Sequence, residues 1–391
     1  MNILTLPNQP YVADLTPDIE SLLRANAPVA VGVSGGKDSQ AAALVVARHL
    51  DSIGHTGPRT LIHSSLGRVE WVDSMPVCEE LAAHLGWELV VVRRKAGDMM
   101  DRWLQRWHNN VERYANLECV RLIPPWSTPS MRFCTGEMKS DVIASALKKR
   151  YPKQQIISAT GIRAQESSAR AKQPIAKVSS RLTTLAATGW DWNPILGMSL
   201  QQVWDSIASA GLRRHRAYVE YGTTRVSCRF CILGSLPDLM AASDTEEARE
   251  LYSEMVQLEL DSTFGFQDAR WLASLRPDRL PERQQLLIES RMAAARERRE
   301  IEKAIPESLL FKAGPGRRAW PARIPTLDEA RELARVRREV ARIVGLEVRF
   351  IEPHAVIDRY AELMEERGTL PGRDIEETQA VTGEARQLQL C

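Results

Sequence analysis

The stretch VGVSGGKDS, residues 31–39, decides the fold, because a short apolar run ends there at two glycines followed by lysine, aspartate and serine. The small and β-branched residues 28–33 predict a buried strand, and the alanine- and leucine-rich residues 39–50 predict a helix. A glycine loop between a strand and a helix N-terminus is a typical anion site, because its free backbone N–H groups can point at the ligand. The stretch therefore predicts a phosphate-binding loop, to which Lys37 adds a positive charge. The alternative is an ordinary glycine turn before a helix with a surface lysine.

The composition limits the classes of function. The chain has 391 residues, enough for two domains, and its net charge of +2 leaves no global basic field of the kind that nucleic-acid binders carry. No apolar run approaches the length of a membrane span and the first residues lack the pattern of a signal peptide, so we expect a cytoplasmic protein without a membrane partner. In a reducing compartment the six cysteines would be metal ligands, redox thiols or buried side chains rather than disulfides.

Strand and helix patterns alternate after the loop. Strands are predicted at 59–64, 88–93 and 154–160, and a helix at 73–85. This alternation predicts a doubly wound, mostly parallel α/β sheet with its ligand site at the carboxyl ends of the strands. From residue 237 onwards Ala, Leu, Arg and Glu recur at helical periods, so we predict a nucleotide-binding domain over 1–236 and a mainly α-helical domain over 237–391.

Two further strand ends would meet the loop in the same crevice. His63 and Ser64 end the second strand and are expected to face the ligand, although His63 could equally be a buried core histidine. The fourth strand is followed by a glycine, two arginines, a carboxylate and a hydroxyl, namely Gly161, Arg163, Glu166, Ser167 and Arg170. Arginines suit phosphate or sulfate, and the glutamate could hold an arginine or Mg²⁺. A salt-bridged helix start is the alternative.

Cys228 and Cys231 form a C-x-x-C pair whose thiolates could bind one metal or cluster. The neighbouring Arg225 and Arg229 should favour the thiolate form. A redox dithiol, half a zinc site, part of an iron–sulfur site and two buried thiols all fit this pattern.

The rest of the chain offers neither a second close cysteine pair nor a histidine pair, as zinc would require. Cys134 is the best remote third ligand, with Cys119 in reserve. Three cysteines suit a [4Fe–4S] cluster whose fourth iron is open or bound by another group.

These motifs together resemble the phosphoadenosine phosphosulfate (PAPS) reductase family of the PP-loop ATP pyrophosphatases. The correspondence runs from about residue 30 to 236 and is carried by the SGGKDS loop, the segment 131–139 with its arginine, cysteine and lysine, the G-x-R-x-x-E-S-x-x-R segment 161–170, the W-x-P-I segment 192–195, and Tyr218, Gly222 and Arg225 before C-x-x-C.

The resemblance implies an adenine nucleotide α-hydrolase-like fold that binds ATP or PAPS with Mg²⁺ and cleaves between the α- and β-phosphates. It also implies that Lys37, Asp38, Arg163 and Arg170 serve turnover. The nucleotide-binding residues that it implies are Ser34, Gly35, Gly36, Lys37, Asp38, Ser39, His63, Ser64, Gly161, Glu166, Ser167 and Arg225.

Departures from the family pattern indicate which branch of the family the chain resembles. Phe133-Cys134 stands where cluster-binding APS reductases have two adjacent cysteines, and the tail ending in Cys391 lacks the context of the PAPS reductase nucleophile. Glu166 and the S-C-x-F-C run are more similar to the DndC-type proteins of DNA phosphorothioation and to PAPS-reductase-like proteins of mobile elements.

We therefore expect an ATP pyrophosphatase with a [4Fe–4S] cluster that takes part in sulfur transfer by adenylating an acceptor, supplied by a sulfur donor. The alternatives are a sulfonucleotide reductase that uses a thioredoxin-like reductant and a nucleotide-binding regulatory subunit that turns nothing over. DNA or tRNA are candidate acceptors. The local basic and aromatic segment 312–325, with Arg317, Arg318, Arg323 and Trp320, would bind them if it is more than a connector.

Overall fold

The phosphate loop follows a strand that lies in the middle of a six-stranded sheet. In the computed structural model, which describes residues 10–313 and 319–368, the strands are β1 Val29–Gly32, β2 Arg59–Ser65, β3 Glu88–Arg93, β4 Ile157–Ala159, β5 Ala176–Val178, β6 Trp190–Trp192, β7 Lys312–Ala313 and β8 Ala319–Trp320. The first six form one sheet in the order β3-β2-β1-β4-β6-β5, and β7 pairs with β8. Only β5 runs antiparallel in the large sheet, so the predicted mostly parallel sheet is confirmed.

The helices follow the strands along the chain. They are α1 Pro17–Arg24, α2 Lys37–Ser52, α3 Ser74–Leu85, α4 Met99–Ala115, α5 Phe133–Thr135, α6 Asp141–Arg150, α7 Ser168–Ala171, α8 Leu200–Ser209, α9 Arg216–Val219, α10 Leu236–Asp244, α11 Arg249–Ser262, α12 Glu282–Glu302, α13 Leu327–Val344 and α14 Pro353–Arg367.

Helices cover both faces of the large sheet. Val29 and Val31 of β1 pack into a cluster with the alanine-rich helix α2 and with residues of α1, α3 and α8. Ala30, which points to the other face, packs with Ala144 and Leu147 of α6. Successive strand residues thus bury opposite faces, as expected for a doubly wound sheet.

The chain divides into two compact units. The first comprises residues 1–103, 126–257 and 265–285, and the second comprises residues 104–125, 258–264 and 286–391. The second unit has its own apolar core, built from α13, α14 and residues 114–122. The boundary near residue 236 that the sequence indicates stays a prediction. Within the described ranges no helix is both long and apolar enough to cross a membrane.

Candidate functional site

A cavity of about 350 Å³ lies in the first unit at the carboxyl ends of β1, β2 and β4. Many of the residues predicted for the site line it: Ser34, Gly36, Asp38, Ser39, Ser64, Gly161, Glu166, Arg170, Arg225 and Cys228. The cavity is therefore where the sequence places the nucleotide site. Other predicted residues, among them Gly35, Lys37, His63, Arg163 and Ser167, support this cavity without lining it.

Glycine is required at two positions, Gly35 in the loop and Gly161 after β4, because the surroundings leave no room for a side chain there. A Cβ on Gly35, whose φ is +73°, would lie 2.8 Å from the carbonyl oxygen of Ser74. A Cβ on Gly161 would lie 2.4 Å from the carbonyl oxygen of Asp38. Gly36 precedes α2 and offers no capping side chain to its N-terminus. The first N–H of the helix, that of Lys37, donates to the hydroxyl of Tyr218 at 3.2 Å, and Gly36 leaves the rest of the first turn without a side-chain cap, which suits an anion.

The hydroxyl of Ser39 shapes the loop from within. It donates to the carbonyl oxygen of Gly36 at 2.8 Å and accepts from the backbone N–H of Ser34 at 3.3 Å. These two bonds hold the ends of the glycine turn together.

The positive charge predicted for the phosphates is engaged elsewhere in this structure. Lys37 is buried, and its Nζ lies 3.2 Å from Oδ2 of Asp38 and 3.4 Å from the carbonyl oxygen of Thr224. It also lies 5.2 Å from the ring centre of Tyr218. Asp38 in turn accepts a hydrogen bond of 2.6 Å from Nε of Arg163, which is buried as well. Lys37 does not line the cavity in this arrangement, and its ammonium keeps one N–H donor beyond the contacts with Asp38 and Thr224.

The segment after β4 forms its own ion pairs. Arg170 pairs with Glu166, whose carboxylate also accepts the backbone N–H of Arg163 at 3.1 Å. Ser167 caps α7 by accepting the backbone N–H of Arg170 at 3.2 Å. The salt-bridged helix start considered from the sequence is thus present, and Glu166 and Arg170 line the cavity at the same time.

His63 lies behind the cavity wall. Its Nδ1 donates to the carbonyl oxygen of Val33 at 3.0 Å and its Nε2 lies 3.3 Å from the carboxylate of Glu70, which lines the cavity. Burial lowers the pKa of His63, but hydrogen bonds with Cys78 and Glu70 outweigh it and raise the pKa to about 10. Both ring nitrogens of His63 contact protein groups, as expected for a buried core histidine, which was the alternative interpretation of the sequence. The positive charge of the ring stabilises the carboxylate of Glu70.

Three cations line the cavity with their side chains uncommitted. Arg132, Lys139 and Arg225 make no side-chain hydrogen bond or ion pair with any residue that the structure describes. Arg225 was predicted as a site residue, whereas Arg132 and Lys139 were noted only as parts of a loop segment. Their signal in the sequence was the basic, proline-rich loop before α6, since such loops often hold ligands. Together they make this side of the cavity attractive to an anion.

Cys134, Cys228 and Cys231 lie near the same side of the cavity. Arg132 and Thr135, on either side of Cys134, line it together with Cys228. Burial raises the pKa of Cys228, Lys139 opposes this shift, and Cys231 and Cys134 add to it, which places the three thiols in each other's field. At Cys228 the raised pKa opposes the thiolate form that the neighbouring arginines were expected to favour.

Arg229, the residue after Cys228, makes contacts that stabilise the loop carrying the two cysteines. Arg229 is buried, and it donates to the carbonyl oxygen of Glu247 at 2.6 Å and lies over the ring of Trp71. After Cys231 the loop is held by Gln267, whose Nε2 donates to the carbonyl oxygen of Ile232 at 2.8 Å.

A single metal ion has no ready set of ligands here. Among the described residues no three His, Cys, Asp or Glu side chains converge on one position. The thiolates of an iron–sulfur cluster bind different iron atoms and need not converge, and three thiols without a histidine are a donor set that such a cluster accepts. The donor chemistry thus fits a cluster better than zinc. Cys119 belongs to the second unit, where burial raises its pKa to about 11, and Cys391 lies outside the described residues.

Comparison with known proteins places the chain. The family described as the phosphoadenosine phosphosulfate reductase domain matches residues 28–233. No protein of curated function matches the chain. Among solved structures, the phosphoadenylyl-sulfate (PAPS) reductase of Candida auris in a phosphate complex is 13% identical, with a TM-score of 0.33, over 56% of this chain and 98% of that chain. The U34-tRNA thiolase of Methanococcus maripaludis with its [4Fe-4S] cluster is 18% identical, with a TM-score of 0.35, over 63% of this chain and 74% of that chain. Because the family match spans more than half of the 391 residues, the chain belongs to the PAPS reductase family of the PP-loop superfamily.

Proposed function

We propose that this protein is an ATP pyrophosphatase that activates an acceptor for sulfur transfer by adenylating it, and that Cys134, Cys228 and Cys231 hold a [4Fe–4S] cluster. The observation that carries the proposal is that one cavity is lined by the glycine loop, by uncommitted cations and by the first cysteine of the C-x-x-C pair. Nucleotide, anionic acceptor and thiol would therefore meet in one place.

The glycine loop supports the nucleotide half of the reaction. Its turn, held by Ser39, and the first turn of α2, to which Gly36 offers no side-chain cap, suit the phosphates of the magnesium complex of ATP, which is the substrate. An acceptor oxygen would attack the α-phosphorus, the bond from that phosphorus to the bridging oxygen would break, and pyrophosphate would leave with the magnesium ion. Lys37 would stabilise the leaving charge once it has left Asp38.

The uncommitted cations of the cavity support the acceptor half. Arg132, Lys139 and Arg225 would neutralise an anionic acceptor or the adenylate formed on it. A cluster held by the three cysteines would supply sulfide to displace AMP from the activated acceptor. The described cysteines are free thiols, which suits a reducing compartment such as the cytoplasm.

The same cations also favour a second candidate function. A sulfonucleotide reductase would use them to bind the sulfate of PAPS, and would need a thioredoxin-like reductant and a nucleophilic thiol such as Cys391. In the third candidate, a regulatory subunit, the ion pair between Lys37 and Asp38 would persist when ATP is bound, and no bond would be cleaved.

Pyrophosphate release by anaerobically purified protein tests the proposal. ATP is offered alone and with DNA, bulk tRNA or a sulfide source, and PAPS with thioredoxin is offered in parallel. We expect pyrophosphate from ATP, stimulated by one acceptor, and its loss in Lys37→Ala. The matched control is Lys149→Ala, which removes an exposed lysine of α6. Sulfite from PAPS that depends on Cys391 would establish the reductase instead, and ATP binding without pyrophosphate under every condition would establish the regulatory subunit.

A further inference from the structure

Ser74 is a polar residue of the cavity wall that the family motifs leave without a role. It is the first residue of α3, only 4% exposed, and lines the cavity. Its backbone is the atom group that forbids a side chain on Gly35. The Ser74 hydroxyl is therefore fixed next to the glycine loop.

The proton positions on His215 follow from its neighbours. Its Nδ1 accepts the backbone N–H of Ala217 at 3.0 Å, so that nitrogen carries no proton. A neutral imidazole must then carry its proton on Nε2, which lies 3.2 Å from Oγ of Ser74. His215 is fully buried, and burial lowers its pKa to about 4, which keeps the ring neutral near pH 7.

This arrangement excludes a nucleophilic serine of the Ser-His-Asp type. Such a serine gives its proton to an unprotonated Nε2 while a carboxylate accepts from Nδ1. Here the Nδ1 site is taken by Ala217, and the nearest carboxylate oxygen, on Asp73, is 3.9 Å away and accepts the backbone N–H of Arg216. His215 is a donor to Ser74 and not its base.

The hydroxyl proton of Ser74 is left for a ligand. Its oxygen accepts from His215, and none of the described residues accepts its proton. The N-terminus of α3 also lacks a side-chain cap, so its partial positive charge faces the same region.

We propose that Ser74 is a phosphate-binding residue that donates its hydroxyl proton to the phosphate group held by the glycine loop, and that His215 is the positioning residue that directs this donor. The inference rests on the proposed nucleotide site and adds a hydroxyl donor next to Gly35. It predicts that Ser74 recognises the phosphates and makes no contribution to recognition of the nucleoside.

Binding measured without turnover tests it, with inorganic pyrophosphate, ATP and adenosine as the probes in isothermal titration calorimetry. Ser74→Ala should weaken pyrophosphate and ATP binding on the order of tenfold, as loss of a hydrogen bond to a charged group does, and leave adenosine unchanged. Ser209→Ala, at the exposed end of α8, is the matched control and should change nothing.

A double-mutant cycle tests the role of His215. His215→Leu should weaken pyrophosphate binding in the wild type but not in the Ser74→Ala background, and His215→Gln, which keeps an N–H donor, should restore most of the loss. Equal losses of pyrophosphate binding in both backgrounds would make His215 merely structural. Should Ser74→Ala not fold, the comparison of His215→Leu with His215→Gln carries the test, and equal binding by the two would overturn the inference. Wild-type protein that binds neither pyrophosphate nor ATP would refute the proposed function, whereas normal binding by Ser74→Ala would refute only this inference.

Discussion

Replacing Asp38 by asparagine tests the charge arrangement at the phosphate loop. The carboxylate lies 3.2 Å from Nζ of Lys37 and 2.6 Å from Nε of Arg163, and these two side chains are only 8% and 5% exposed. Asparagine has nearly the same shape but no charge, so the substitution leaves two buried cations without their shared anion. It removes charge compensation and little packing.

The magnitude follows from these distances. At about 3 Å and an effective dielectric constant of about 20, each contact is worth about 5 kcal/mol before desolvation is counted. Desolvation offsets most of that gain, and removing one partner of a buried pair costs about 3–5 kcal/mol in measured cases. For a domain of about 150–250 residues, a loss of about 3 kcal/mol lowers Tm by roughly 6–12 °C.

Thermal unfolding followed with and without pyrophosphate is the assay. Asp38 competes with a phosphate for Lys37, so the variant should bind pyrophosphate more tightly and its Tm should rise more on addition of the ligand than that of the wild type. Asp51→Asn is the matched control, because the pair of Asp51 with Arg59 is at the surface, with the carboxylate 69% exposed, and is worth about 0–1 kcal/mol. The reasoning would be refuted if two results were found together. The Tm of Asp38→Asn would be as close to that of the wild type as the Tm of Asp51→Asn is, and pyrophosphate would raise the Tm of Asp38→Asn no more than that of the wild type.

Three further predictions concern other parts of the chain. Serine at any proposed cluster ligand, Cys134, Cys228 or Cys231, should remove most of the iron and the brown colour of anaerobic protein, whereas Cys78→Ser should remove neither; stoichiometric zinc in the wild type would contradict this. Because the pKa of His63 is raised from 6.5 to about 10, its protonation stabilises the fold fully below about pH 6.5 and this contribution is lost as the pH rises through 10. The difference in Tm between wild type and His63→Gln should shrink over that range, and a constant difference would argue against a charged ring. In the segment 312–325, replacing Arg317, Arg318 and Arg323 together by alanine should weaken DNA or tRNA binding and flatten its salt dependence, and equal binding by wild type and variant would leave the segment a connector.

The structure limits what Arg323 can add to such binding. Its guanidinium pairs with Glu329 at 2.7 Å and donates to Oγ of Ser308 at 2.8 Å. It also lies after β7 and β8, which pair antiparallel, so part of the segment has regular structure. Arg317 and Arg318 lie outside the described residues. Most of the loss of binding in the triple variant is therefore expected from the replacement of Arg317 and Arg318.

The sequence was sufficient to predict the elements that have a clear local pattern of apolar residues. The apolar runs predicted as strands are confirmed as β1, β2 and β3. The antiparallel pair of β5 and β6 was not predicted, because each strand has only three residues. Three residues are too few to show the alternation of apolar and polar residues that indicates a strand. Tertiary contacts escaped for a different reason. Lys37 meets Thr224 across 187 residues of chain, and Ser74 meets His215 across 141, so no local pattern could indicate where their polar atoms point.

One tyrosine joins the phosphate loop to the cysteine loop. The hydroxyl of Tyr218 accepts the backbone N–H of Lys37 and that of Val226, both at 3.2 Å, and its ring lies under the Lys37 ammonium. Lys37 in turn donates to the carbonyl oxygen of Thr224, four residues before Cys228. A phosphate that draws Lys37 away from Thr224 must break this contact, so the affinity for nucleotide includes its cost. If phosphate binding breaks this contact, linkage requires that a ligand which holds the cysteine loop in its present position weakens nucleotide binding, and that nucleotide weakens the binding of that ligand by the same free energy.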